Sequence, residues 1–156
     1  MKVRDIMTKA VITVPPTMTV GEVAALLRGH DLSGVPVVDE SGKLIGIVTE
    51  VDLIARHAQI HMPRYLQIME YQIYLDDPQR VKDELERILG TTVADIMSEK
   101  VYTIDPDAGL QELATVMVDH HANPVPVVED GRLVGIVSYH DVLQILERPD
   151  LDEVTA

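Results

Sequence analysis

Apolar positions along this chain follow two rhythms, and the same succession of rhythms is written twice. Val35-Pro36-Val37-Val38 is a short apolar run bounded by turn residues, and Leu44 to Val48 is a second run beyond Asp39-Glu40-Ser41-Gly42, so the pair predicts a β-hairpin. About ninety residues later Val125-Pro126-Val127-Val128 and Gly135-Ile136-Val137 repeat it, one residue shorter, across Asp130-Gly131. That dipeptide suits a type I′ turn, whose two central residues both need positive φ. Helical spacing stands before each hairpin. Val20, Val23, Ala24 and Leu27 predict an amphipathic helix from about Val20 to His30, opened by a Thr19/Glu22 capping box in which each residue reaches for the other's backbone. Its counterpart opens at Gly109, with Glu112 at the third helical position and Leu110, Leu113, Ala114 and Met117 on one face. Further upstream, Val3-Arg4-Asp5-Ile6-Met7 and Val93-Ala94-Asp95-Ile96-Met97 each predict a helical turn leading into an extended segment, Val11 to Val14 and Val101 to Ile104. A helix follows each hairpin, from about Glu50 and from about Tyr139, and Pro149 stops the last one.

A pattern written twice makes the repeat the unit of structure. The expected organisation is repeat one over residues 1–57, an insertion over 58–92, repeat two over 93–148 and an acidic tail over 149–156. The insertion has no counterpart in the second copy. Arg64 to Leu75 is apolar or amphipathic on more than one helical face and reads as a helix buried on several sides. Asp77-Pro78 then opens another helix, with Val81, Leu85, Ile88 and Leu89 in one stripe, and the insertion as a whole is expected to be helical and to offer a subunit interface.

Composition narrows the class. With 156 residues and 46% hydrophobic content the chain can bury a core of single-domain size, while a net charge of -13 with scattered basic residues disfavours nucleic acid. No apolar run approaches the ~20 residues that span a bilayer, and the absence of cysteine fits a cytoplasmic protein without disulfides or thiol chemistry. Phe and Trp are absent too, so the core must come from Val, Ile, Leu and Met.

The chemistry-bearing words sit where a strand turns into a helix. Thr49-Glu50-Val51-Asp52 and Ser138-Tyr139-His140-Asp141 each place a hydroxyl and a carboxylate three apart. Such a pair caps a helix with no ligand at all. The same corner presents free N–H groups and a positive dipole end to a phosphate, and a carboxylate can accept both hydroxyls of a ribose. Pro36 and Pro126 lack an N–H and so leave a gap at a strand edge. His57 and His61 share a helical face as metal ligands do, but two ligands are too few, and a polar surface is expected. His30 and His120-His121 stand at helix C-termini, where the dipole favours them.

Taken together and in order, Asp-Ile-Met opening each copy, a Val-Pro-Val-Val-acid run, and Gly-Ile-Val-(Thr/Ser)-x-x-Asp resemble the tandem CBS-domain pair, or Bateman module. The resemblance covers Val3 to His57 and Val93 to Glu147 and leaves the insertion outside. It implies an α/β (α+β) fold of two βαββα units packed through their sheets about a pseudo-twofold axis. It also implies two clefts for adenosine-type ligands such as AMP, ADP, ATP or S-adenosylmethionine. Carried over by motif, Asp52 and Asp141 would hold ribose hydroxyls, and Thr49 and Ser138 phosphate or ribose oxygens. Val11, Ile12 and Thr13 with Val35 and Pro36, and Val101, Tyr102 and Thr103 with Val125 and Pro126, would line the base pockets. Which base segment serves which aspartate stays open.

His140 beside Asp141, where repeat one has Val51, makes the Asp141 site the favoured one. Ser33-Gly34 and Asn123-Pro124 stand where some nucleotide-binding relatives carry basic residues, which weighs against a triphosphate and leaves Arg56, Lys43 and Arg132 as substitutes. The function expected is therefore a non-catalytic regulatory sensor of an adenosyl compound, signalling to a partner or through a homodimer. Its rivals are a ligand-free interaction module, in which the Thr/Ser-x-x-Asp words are only caps, and a hydrolase using paired carboxylates and His140, for which no nucleophile, metal cluster or oxyanion loop is present.

Overall fold

Val3 and Val93, the first apolar residues of two equivalent helical turns, are both fully buried, and each is buried in the other repeat's core. The structure, a computed structural model, describes residues 1–57, 65–74 and 77–147; His61, Pro63, Leu75 and the tail from Pro149 lie outside it, as do the side chains of Arg56 and His57. Repeat one runs α1 (Val3–Ile6), α2 (Val20–Gly29), β1 (Gly34–Val38), β2 (Leu44–Thr49) and α3 (Glu50–His57). The insertion contributes β3 (Tyr65–Ile68), β4 (Tyr71–Tyr74) and α4 (Pro78–Leu89). Repeat two runs α5 (Val93–Ile96), α6 (Leu110–Asp119), β5 (Val125–Glu129), β6 (Arg132–Val137) and α7 (Tyr139–Leu146).

Each repeat forms an antiparallel hairpin, β1 with β2 and β5 with β6, and the extended segment ahead of α2 or α6 adds to it in parallel, Val14 beside Val37 and Ile104 beside Val127. The side chains of Val35, Val37 and Val48, and of Val125, Val127 and Val137, fill the two cores with the apolar stripes of α2 and α6. Asp130 and Gly131 both adopt positive φ, 51° and 78°, as the type I′ turn requires. In the longer first turn the Asp39 carboxylate accepts from the Ser41 hydroxyl and from the Ser41 and Lys43 amides, and the Ser41 bond above all holds its carboxyl below the ordinary range. Thr19 caps α2 by accepting from the Glu22 amide at 3.2 Å. The return bond from Glu22 is not made; Thr19 instead bridges Thr92, and the Val20 amide donates to the Thr91 carbonyl at 2.8 Å.

The two repeats meet by exchanging their N-terminal segments. Thr8 and Ile136 trade backbone hydrogen bonds of 2.8 and 3.0 Å, and Ser98 and Ile47 trade two of 3.0 Å, the same contact made in both directions. Lys2 bridges Gly109 as Thr92 bridges Thr19. Such reciprocity is what a pseudo-twofold axis produces. Met7 lies against Gly135 and Met97 against Gly46, so glycine at both positions is demanded by the approach of the other repeat. Arg4 and Lys2 pair with Asp107 across the same junction, and the Arg4 bond, at 2.8 Å, is the main reason the Asp107 carboxyl sits below the ordinary range. These side chains are about half exposed, so the pairs steer the junction more than they stabilise it.

The insertion corrects the expected helix. Residues 65–74 form a hairpin with Tyr65 opposite Tyr74, Leu66 opposite Ile73, Gln67 opposite Gln72 and Ile68 opposite Tyr71, turning over Met69 at φ 56°. A stretch apolar on more than one helical face can also be apolar on both faces of a strand, and its Tyr and Ile content favours the strand. Gln67 and Gln72 stand symmetrically about the Met69-Glu70 turn. The helix behind Asp77-Pro78 is as expected, its first turn capped by a 3.0 Å bond from the Gln79 amide to the Asp77 carboxylate.

A Cβ at Gly135 would fall 2.9 Å from Met7 Cγ and 3.2 Å from the Thr8 carbonyl oxygen. Gly135→Ala is therefore expected to destabilise the protein by about 1–3 kcal/mol, the usual cost of overpacking. Urea unfolding measures it, and an unchanged midpoint would show that the inter-repeat junction yields freely.

Candidate functional site

Both strand-to-helix corners are closed by the hydroxyl and carboxylate that the sequence places there. At the first, the Thr49 amide and hydroxyl donate to Asp52 Oδ2 at 2.8 and 3.1 Å, and the Asp52 amide donates back to Thr49 Oγ1 at 3.3 Å. At the second, the Ser138 amide and hydroxyl donate to Asp141 Oδ2 at 2.7 and 3.0 Å. The cap is real in both copies. Each carboxylate spends one oxygen on it, and Oδ1 of Asp52 and of Asp141 accepts no bond among the described residues.

The next amide of each helix is also committed. Glu50 N–H donates to the Ser33 carbonyl at 2.9 Å, and Tyr139 N–H to the Asn123 side-chain carbonyl at 2.9 Å. The Asn123 side chain thus does at the second corner what the Ser33 backbone does at the first. With two of the first three amides of each corner taken, the helix dipole has fewer free donors for a phosphate than the bare motif suggested.

Proline opens its gap one segment over from where it stands. Val14 N–H donates to the Pro36 carbonyl at 3.0 Å and Val38 N–H to the Val14 carbonyl at 3.0 Å. A continuing parallel ladder would send the next bond from residue 36 to the Ile12 carbonyl, but Pro36 has no N–H to give. Ile104 and Pro126 repeat the pattern, 3.1 Å, with Val128 donating back to Ile104 at 2.9 Å, so the Tyr102 carbonyl is the second orphan.

Two clefts between the repeats receive these groups, and the assignment is crossed. A cleft of about 580 Å³ is lined by Ile12, His30, Asp31, Ser33 and Gly34 from repeat one and by Ser138, His140 and Asp141 from repeat two. A cleft of about 450 Å³ is lined by Thr49, Val51 and Asp52 from repeat one and by Lys100, Val101, Tyr102, His120 and His121 from repeat two. Each aspartate therefore faces the base segment of the other copy, which the sequence left open. Thr8 and Ser98 bridge the other repeat's hairpin while Val14 and Ile104 pair with their own, so the segment between them runs back past the other repeat's corner, and this produces the crossing.

Of the sequence-predicted residues, Thr49, Asp52, Val101 and Tyr102 line one cleft and Ile12, Ser138, His140 and Asp141 the other. Val11, Thr13 and Thr103 line neither; in repeat one Ala10 and Ile12 alternate with them as in an extended chain, whereas in repeat two Val101 joins Lys100 and Tyr102 in the wall. Val35, Pro36, Val125 and Pro126 are buried in the cores; the residues just before them, Ser33-Gly34 and Asn123-Pro124, form the walls instead. Lys100, Glu50 and Tyr139 were missed. Glu50 and Tyr139 are the unspecified positions of the Thr/Ser-x-x-Asp words, and Lys100 lies two residues ahead of Tyr102, one alternation of an extended chain, which is the signal that could have found it. His140 lies 3.1 Å from Gln144 on the next turn of α7. Tyr102 stacks on His120, ring centres 4.0 Å apart and planes 9° from parallel. Among the described residues no three His or carboxylate groups gather as a metal site. Among the same residues no helix is long and apolar enough to cross a membrane.

Comparison with known proteins follows the repeat. The CBS domain family model matches residues 3–58 and 93–148. An uncharacterized protein of Methanocaldococcus jannaschii, MJ1426, is 31% identical over 154 residues, which is 94% of this chain and 91% of the relative. The chain spans 32% to 61% of the length of three longer relatives. Among solved structures, a putative acetoin utilization protein (AcuB) from Vibrio cholerae superposes with a TM-score of 0.73 at 28% identity, covering 99% of this chain and 96% of that one. The CBS domain pair of protein MJ0100, solved with 5′-methylthioadenosine and S-adenosyl-L-methionine, gives 0.71 at 28% identity, covering 94% and 95%.

Because the Asp141 carboxylate is a cap, Asp141→Ala is expected to cost about 0.5–2 kcal/mol of stability, and Asp52→Ala the same. Thermal unfolding without ligand measures it. A loss of the whole fold would mean that the corner does far more than cap.

Proposed function

Since the chain belongs to the CBS domain family and carries two copies of the domain, we propose that it is a regulatory module that binds an adenosyl compound in the clefts between its repeats. What carries the reading is the crossed meeting, in each cleft, of an orphan backbone carbonyl from one repeat with a half-used carboxylate from the other. A carbonyl deprived of its ladder partner is an acceptor for the exocyclic amine of adenine. The unspent Asp oxygen is an acceptor for a ribose hydroxyl. Ile12 or Tyr102 with the neighbouring aliphatic side chains would cover the base. The ligands named for the MJ0100 domain pair support the class, AMP, ADP, ATP and S-adenosylmethionine being its candidates here.

A ligand that grips both repeats stabilises one mutual orientation by RT ln(1 + [L]/Kd), about 2.7 kcal/mol at a hundredfold excess over Kd. The reading is non-catalytic and cytoplasmic, so the change must be read by another surface. Val51 and Ile54 on α3 and Leu143 and Leu146 on α7 are more than half exposed. They are twofold-related faces suited to an isologous homodimer. Sedimentation velocity should give a dimer that Ile54→Glu with Leu146→Glu converts to a monomer; a wild-type monomer would move the output to a different partner.

A thermal-shift panel of adenosine, AMP, ATP, 5′-methylthioadenosine and S-adenosylmethionine tests the binding. At a hundredfold excess over Kd the expected rise is roughly 5–11 °C, from about 2–4 °C per kcal/mol for a chain of this size. It should be lost for the corresponding ligand in Asp52→Ala or Asp141→Ala. No shift with any of them at millimolar concentration would favour a ligand-free interaction module in which the aspartates only cap.

A further inference from the structure

The two clefts are built from equivalent positions, so their chemistry can be compared residue by residue. Ile12 corresponds to Tyr102 and His30 to His120, but three exchanges involve ionisable residues: Ala10 in the Asp141 cleft is Lys100 in the Asp52 cleft, Asp31 is His121, and His140 is Val51. Asp31 and His121 occupy the same place in their loops, at φ 53° and 50°. The charged lining of the Asp141 cleft is thus Asp31, Glu50 and Asp141, with no Lys or Arg among its lining residues. In the Asp52 cleft Lys100 stands against Glu50 and Asp52. Its ammonium lies 5.4 Å from the centre of the Tyr102 ring, which the His120 stack holds in place.

A 5′-phosphate carries between one and two negative charges near neutral pH, and three carboxylates with no Lys or Arg beside them oppose it. A thioether or a sulfonium in the same position meets no such opposition, and a sulfonium is attracted. Resting on the adenosyl reading above, we propose that the clefts divide by charge. The Asp52 cleft is the nucleotide site, with Lys100 admitting the 5′-phosphate, and the Asp141 cleft takes an adenosyl compound without phosphate. His140, which drew attention to the Asp141 side, is outweighed there by the acidic lining.

Isothermal titration of the full chain with AMP, adenosine and 5′-methylthioadenosine decides the matter. Lys100→Gln, at an exposed position, is expected to weaken AMP at least tenfold while changing adenosine less than threefold. AMP binding should disappear in Asp52→Ala and persist in Asp141→Ala, with 5′-methylthioadenosine bound at the Asp141 cleft showing the reverse. Ala10→Lys should add a second AMP per chain. Unchanged AMP affinity in Lys100→Gln, or loss of AMP in Asp141→Ala alone, overturns the division and leaves the adenosyl reading standing. If wild type binds none of the three compounds, the adenosyl reading itself fails and takes the division with it.

Discussion

The backbone bonds that Thr8 makes with Ile136, and Ser98 with Ile47, are the constraint on which the rest depends. They extend each hairpin with a segment of the other repeat and carry Val3 and Val93 into foreign cores. Neither copy completes its sheet or its hydrophobic cluster from its own residues, so the pair folds as one unit although the chain is written as two. The clefts inherit that dependence. A wall from one copy faces a corner from the other because the segment from Thr8 to Val14, like that from Ser98 to Ile104, runs back from the other repeat's hairpin to its own, and glycine at 46 and 135 gives Met97 and Met7 room at the junction.

Much of this was legible. The repeat, the hairpins, the capped corners and the family could be read because each rests on local chemistry: positive φ at Asp130-Gly131, helical spacing behind Thr19, a hydroxyl three residues before a carboxylate. What could not be read is what depends on distant partners. The exchange of arms leaves no mark at Thr8 or Ser98 themselves, and its trace is a pair of glycines in strands that otherwise look regular. The β3–β4 hairpin reads as a helix from sequence because a stretch apolar on more than one helical face carries no clear period. Lys100 escaped because nothing at position 100 announces a cleft until Tyr102 is placed in one.

The aspartates show why a cap and a ligand site need not compete. A carboxylate has two oxygens with several lone pairs, and closing the corner engages Oδ2 alone. The cap fixes the orientation of the other oxygen, so on the proposed reading little side-chain freedom would be left to lose on binding. The proline works in the same spirit: removing one donor leaves one acceptor, rigidly held at the mouth of a cleft.

Ser33, Glu50, Asn123, Pro124 and Tyr139 line both clefts, so the two cavities have a common partition. The partition is stiff, with the Glu50 and Tyr139 amides bonded to Ser33 and Asn123 on its two sides. If both clefts take a ligand as proposed, whatever factor one occupant applies to the affinity of the other must be returned in full.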